Sequence, residues 1–231
     1  MEILAHIGQA KQAEYIIALI GLFGYIGYWR LLNGPAVELE AVRQTAKPIF
    51  ERLAGFLVPN GLLYHPGHAW ARVESNDIVT VGMNDFAAKL LGSVDSISLP
   101  KKGTRVKQGS FGWQFKADSR PVHMLSPVEG EVVAVNQAVL ESPALAFHDP
   151  YGEGWLFKVK NTNFTPNLKN MVPAGMIGGW FESLREGLAI RQLAPAAAML
   201  YQDGGEPVSG IARMVDPERW DDLARELLLT K

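Results

Sequence analysis

The chain has 231 residues, 48% of them hydrophobic, and a formal net charge of −2. A chain of this length can bury a sizeable core in one or two domains, and the near-neutral charge excludes a strongly basic field that would hold nucleic acid. With no cysteine, disulfides, thiolate metal sites and cysteine nucleophiles are excluded.

Tyr15 to Leu32 is an apolar run uncharged as far as Trp29. With its flanks it just reaches the ~20 residues that a membrane-spanning helix requires. Tyr15 at one end and Tyr28-Trp29 at the other suit interfacial positions, and Arg30 can snorkel to the surface. A buried core helix is the competing reading. Gly21, Gly24 and Gly27 recur every three residues and predict a contact surface for another transmembrane helix, although glycine is also simply tolerated in such helices. Lys11 is the sole basic residue between Met1 and the span, whereas Arg30, Arg43, Lys47 and Arg52 follow it. The positive-inside rule then places the globular part in the cytoplasm, with a single pass through a bacterial inner or plasma membrane.

Pro35 stops the span. Ala36 to Phe56 is predicted to be helical, broken near Pro48, with a turn at Val58-Pro59-Asn60-Gly61. The central region is β-rich. Strands are expected at Ile78–Val81 and Ile97–Leu99, then along Phe111, Trp113 and Phe115, with return strands from Met124 to Val135 and a closing strand from Trp155 to Lys160. A short helix from Asn84 to Leu91 has Asn84 or Asp85 as its cap. After Lys160 a polar loop leads to a helix over Trp180–Leu193 interrupted at Gly187. A second loop spans Gln202–Gly210, and a last helix starts at Asp216-Pro217-Glu218 with Trp220, Leu223, Ala224 and Leu227 on one face. The expected divisions are an anchor over 1–34, a helical linker over 35–61, a β-rich domain over 62–160 and an extension over 161–231 ending in a helix.

Several segments are similar to the H protein of the glycine cleavage system, and they stand in the right order. They are Tyr64; Gly67-His68-Ala69-Trp70, where alanine replaces the family's glutamate; Thr80 to Ala87; Leu91 to Val94; Leu99-Pro100; Ser126 to Asn136; Pro143 to Leu145; and Asp149-Pro150-Tyr151-Gly152-Glu153-Gly154-Trp155-Leu156. The last is the most specific, and the helix from Pro217 resembles the family's C-terminal helix. The resemblance implies a mainly β fold with helical additions, a lipoyl-type barrel-sandwich hybrid. To this the sequence adds the N-terminal transmembrane helix and the C-terminal helix.

The resemblance also implies a lipoate-bearing lysine at a hairpin tip, and here this chain departs from the family. Counting back from Ser126 at the family's spacing puts Ser119 at that position, and counting forward from Phe111-Gly112 puts Asp118 there. Neither side chain can form the amide that holds lipoate. Lys116 is the one lysine of the hairpin and serves only if the loop is rearranged; Trp113 stands where the attachment motif has glutamate, and Pro121 stiffens the far arm. The expected cofactor is therefore none, with lipoate on Lys116 as the alternative.

Trp113 and Phe115 fit either a core-facing strand or exposed anchors for a protein partner. Trp180 and Phe181, within an apolar cluster with Met171, Val172, Met176 and Ile177, are expected to cover a partner. There is no P-loop, nucleophile elbow, zinc pair or dinucleotide fingerprint, so no catalytic or metal residues are assigned. His65 and His68 straddle Pro66-Gly67 and read as loop histidines. Asp85, Asp118, Asp149 and Glu153 read as scattered loop acids. The expected function is a membrane-anchored, non-catalytic docking or structural subunit of a multi-subunit membrane complex, redox or respiratory. Its partners are other membrane subunits, met through the span and the H-like domain, with no nucleic acid and no small-molecule substrate. The alternative is a lipoylated carrier of a glycine cleavage-type or other lipoate-dependent system.

Overall fold

The computed structural model describes Tyr25 and residues 50–74, 77–162, 164–191, 201–202 and 206–230. The chain divides into two compact units, Met1–Ala41 and Val42–Lys231, and the description below concerns the second. The apolar run with Gly21, Gly24 and Gly27 lies outside the described residues except for Tyr25. Among the described residues no helix is long and apolar enough to cross a membrane.

Alternating apolar side chains build two antiparallel sheets. The larger has the order β3 (Leu63–His65), β4 (Ala69–Val73), β5 (Ile78–Met83), β11 (Phe157–Lys160), β10 (Gly130–Val135) and β7 (Arg105–Val106). The smaller has the order β6 (Ser96–Ser98), β8 (Phe111–Ala117) and β9 (Arg120–Leu125). Trp113 of β8 meets Phe157 of β11 edge to face at 5.7 Å, and both rings are fully buried. These rings join the sheets into a mainly β sandwich. The closing strand expected over Trp155–Lys160 is an interior strand of the larger sheet, flanked by β5 and β10.

The helix at Asp85–Leu91 (α1) forms as the sequence requires. The Asn84 side chain accepts from the Ala87 N–H at 3.0 Å, and Phe86, Leu90 and Leu91 are buried. The specific string from Asp149 has a local cause. Both Asp149 carboxylate oxygens accept backbone N–H bonds, from Gly152 at 3.1 Å and Glu153 at 2.7 Å. A Cβ at Gly152 would lie 2.3 Å from Asp149 Oδ2. Tyr151 crosses from this loop to donate to the Leu57 carbonyl at 2.7 Å and to accept from the Asp85 N–H at 2.9 Å.

The structure corrects the helix expected up to Phe56. Phe50–Leu53 (β1) and Phe56–Pro59 (β2) form a hairpin turning at Ala54-Gly55, both at positive φ. Residues 36–49 lie outside the described set. The expected turn at Val58–Gly61 is confined to Asn60-Gly61. Asp85 and Asp149 are not idle loop acids, because Asp85 accepts the Leu57 N–H at 2.9 Å and Asp149 caps its own loop. Three short helices, Gln137–Glu141 (α2), Ala144–His148 (α3) and Thr165–Leu168 (α4), complete the sandwich. The long helix Ile177–Arg191 (α5) runs through Gly187 without a break. The expected loop after Gln202 includes a small pairing of Tyr201–Gln202 (β12) with Glu206–Pro207 (β13). Ile211–Val215 (α6) is an unanticipated helix. The last helix, Trp220–Leu227 (α7), begins after Pro217 because a turn intervenes, in which Asp216 accepts the Arg219 N–H at 2.9 Å.

Gly82 sits against the face of Trp70, where an added Cβ would lie 2.4 Å from the ring. That ring is fully buried and its Nε1–H donates to the Pro150 carbonyl at 3.0 Å, so it has no room to retreat. Gly82→Ala is expected to lower unfolding free energy by ~1–3 kcal/mol, read from the urea midpoint. A second expectation concerns pH. His68 is buried between Phe86 and Trp180, with ring centroids 4.3 and 4.9 Å away, and burial pushes its pKa down to about 3. The unfolded ring titrates near ~6.5, so between these values the unfolded chain binds more protons. Stability from this site is complete above the unfolded value and declines as pH falls towards 3. The urea midpoint should drop between about pH 7 and pH 4, and His68→Asn, which tolerates the φ of 61°, should flatten that slope.

Candidate functional site at the hairpin tip

The β8–β9 hairpin is the element on which a carried group would stand. Phe115 pairs with Val122, Lys116 with Pro121 and Ala117 with Arg120. This register leaves Asp118 and Ser119 as the two central residues of the turn, with φ of 49° and 64°. Two positive φ values are the signature of a type I′ turn, which matches the twist of a tight hairpin. Both residues that the sequence counts pointed to are therefore at the tip.

Lys116 is not at the tip. It lies within β8, with its carbonyl accepting the Asp95 N–H at 2.7 Å and its side chain on the exposed face of the smaller sheet. Phe115 and Ala117 face inward and are buried, as is Trp113. For Trp113 and Phe115 the structure selects the core position, and as exposed partner anchors they are excluded in this fold. Phe181 is corrected likewise: it is fully buried against Phe56 and Tyr64, whereas Trp180 stays partly open.

The tip is tied to the C-terminal helices. Arg213 of α6 donates through Nε to Asp118 Oδ2 at 2.8 Å and through Nη1 to the Leu91 carbonyl, and its guanidinium lies over the Trp220 ring at 4.2 Å. Arg120, one residue past the turn, donates to Asp221 Oδ1 at 2.7 Å and to the Glu218 carbonyl at 2.9 Å. Asp221 is also bonded by Arg225. Burial alone would raise the Asp221 carboxyl, but the Arg120 hydrogen bond and the two guanidinium charges outweigh it and hold the group below the usual carboxylate range. The Arg213–Asp118 pair is more open, since Asp118 is 60% exposed, and such pairs contribute only ~0–1 kcal/mol.

Sequence reading missed Arg120, Arg213 and Asp221. A helix starting at Asp216-Pro217-Glu218 was legible, but the Arg120 partner of Asp221 lies 101 residues away in the chain, and no local pattern encodes that pairing. Among the described residues no group of side chains could hold a metal ion, and no nucleophile-base pair is assembled around the tip.

The turn generates a test. Ser119 takes a left-handed conformation that costs an L-residue roughly 1 kcal/mol relative to glycine. Ser119→Gly should raise the unfolding free energy by about 0.5–1 kcal/mol, measured by urea denaturation. A fall would mean that the serine hydroxyl holds the turn.

The chain is similar to known proteins over this same region. The profile of the glycine cleavage H-protein family matches residues 62–177, half of the chain. A probable glycine cleavage system H protein of Thermococcus gammatolerans is 36% identical over 129 residues, which is 56% of this chain and 96% of that protein. A glycine cleavage system H protein of Cronobacter sakazakii is 41% identical over 103 residues, 45% of this chain and 80% of that protein. The crystal structure of a glycine cleavage system H protein from Mycobacterium marinum aligns with a TM-score of 0.48 at 27% identity, covering 53% of this chain and 97% of that one. The chain therefore belongs to the glycine cleavage H-protein family, whose members are non-catalytic carriers rather than enzymes.

Proposed function

We propose that this chain is a family member that no longer carries lipoate and serves as a membrane-anchored docking or structural module of a multi-subunit membrane complex, redox or respiratory in kind. The observation that carries this reading is the tip itself. Asp118 and Ser119 occupy the turn, neither offers an amine, and Arg213 and Arg120 bind the tip to α6 and α7. A carrier needs an arm that swings between sites, and a tip held by two guanidinium contacts suits a fixed scaffold instead. The proposed anchor is the apolar run in residues 1–34, with Gly21, Gly24 and Gly27 facing a partner helix. The linker, H-like domain and C-terminal extension follow over 35–61, 62–160 and 161–231, and the H-like domain lies in the cytoplasm, next to the basic residues that follow the span.

A second reading is supported by one feature. Lys116 is exposed, two residues before the turn, and is the one lysine of the hairpin, with the amine that an amide to lipoate requires. Lipoylated there, the chain would act as a carrier of a glycine cleavage-type or other lipoate-dependent system, in line with the names of its relatives.

Intact-mass measurement of the protein purified from its native host separates the two. The docking reading expects an unmodified hairpin and copurification with membrane subunits. A lipoyl increment mapped to Lys116 would establish the carrier reading, and a partner-free protein in the soluble fraction would overturn the anchored module.

A further inference from the structure

A groove of about 900 Å³ opens between the β3–β4 turn and the segment that leads into α5. It lies within the second unit, away from the tip, and its chemistry is one-sided. Its walls are apolar: Met171, Met176 and Trp180 line it together with Val172 and Pro173. Trp180 is fixed there by its stack on the buried His68 ring. The space beside Gly175 and Gly179 is open, since a Cβ at either would meet no atom within 4 Å.

Two donors face this apolar space. His65 lines the groove although only 7% exposed. Its Nδ1 accepts the Gly67 N–H at 3.0 Å, so on the neutral ring Nε2 carries the proton. Burial lowers the His65 pKa and supports the neutral form. Nε2 has no acceptor among the described residues. It is also not sealed in the core, where the Trp113 indole is the one buried side-chain polar atom without a partner among those residues. At the rim, Lys169 has no carboxylate partner among the described residues, and Asn170 spends its amide N–H on Gln108 Oε1 at 2.8 Å.

A groove of 300–1,000 Å³ with apolar walls and a few convergent polar groups has the dimensions of a small-ligand site. Here the polar groups are a neutral N–H donor in the wall and an ammonium at the rim, which together select a ligand with acceptor oxygens and negative charge. Met176, exposed, and Met171, nearly buried, both line the groove, and methionine adapts to varied apolar shapes. We infer that this groove binds a small monocarboxylate with an aliphatic or aromatic body, its carboxylate between His65 Nε2–H and Lys169 and its body against Met171, Met176 and Trp180. This departs from the sequence-based expectation of no small molecule and does not depend on whether Lys116 carries lipoate.

The full-length chain is titrated with 4-phenylbutyrate by calorimetry and ligand-observed NMR, with 4-phenylbutanol as the uncharged counterpart. Saturable binding is expected, about tenfold weaker for the alcohol, which takes the charge from both contacts, and about three- to tenfold weaker for Lys169→Gln, which removes one of them. Gly179→Leu should fill the groove and abolish binding. It replaces a helical glycine with a stronger helix former, so thermal stability should be kept or raised. Absence of saturable binding to the wild-type chain, equal affinity for acid and alcohol, or binding that survives Gly179→Leu would each overturn the assignment. Should Gly179→Leu fail to fold, the exposed Lys169→Gln variant and the acid-alcohol comparison still decide it.

Discussion

The register of the β8–β9 hairpin is the constraint from which the functional reading follows. Successive strand residues point to opposite faces, so a slip of one position would turn Phe115 and Ala117 outward and Lys116 into the core. Phe115 is fully buried and touches Phe147 edge to face at 5.2 Å, while Val122 lies opposite it, also buried. The cost of exposing these groups, and of burying an unpaired ammonium, holds the pairing in place. With the register fixed, the turn can only be Asp118-Ser119. The position of Lys116 on the strand is thus a consequence of core packing at Phe115.

The C-terminal helices convert that hairpin from a projecting finger into part of the body. Arg120 and Arg213 reach from opposite directions, one leaving the hairpin for α7 and one arriving from α6. Arg213 is shared among Asp118, the Leu91 carbonyl and the Trp220 ring, so it also links α1 to the extension. A single guanidinium spanning three elements is well suited to this role, because its planar fork presents several donors and its face stacks on an aromatic ring. The family works with other proteins of a multi-subunit system.

The groove beside the β3–β4 turn and the hairpin tip draw on different parts of the extension. Residues 169–183 build one, and α6 with α7 build the other. Met171, Met176 and Trp180 were visible as an apolar cluster, but Phe181, adjacent in sequence, turns into the core against Phe56. Helical geometry sends neighbouring residues in different directions. The cluster is therefore divided between a buried anchor and an open wall, and only the wall remains available for binding.

Local chemistry was readable in the chain. The Asn84 cap of α1 and the alternation along β8 rest on near neighbours in sequence, so their patterns survive in a one-dimensional reading. The segment before Asn60 was misread because Phe50, Leu53 and Phe56 fit a helical spacing as well as a strand. What decides for a hairpin is Leu57, whose N–H donates to Asp85 and whose carbonyl accepts from Tyr151, far along the chain. The ties from Arg120 and Arg213 join residues 101 and 95 positions apart, and the His65 donor acquires its groove only when the 169–183 segment folds over it. Contacts of that span carry no periodic signature, because charge complementarity and cavity shape come into being when distant surfaces are brought together.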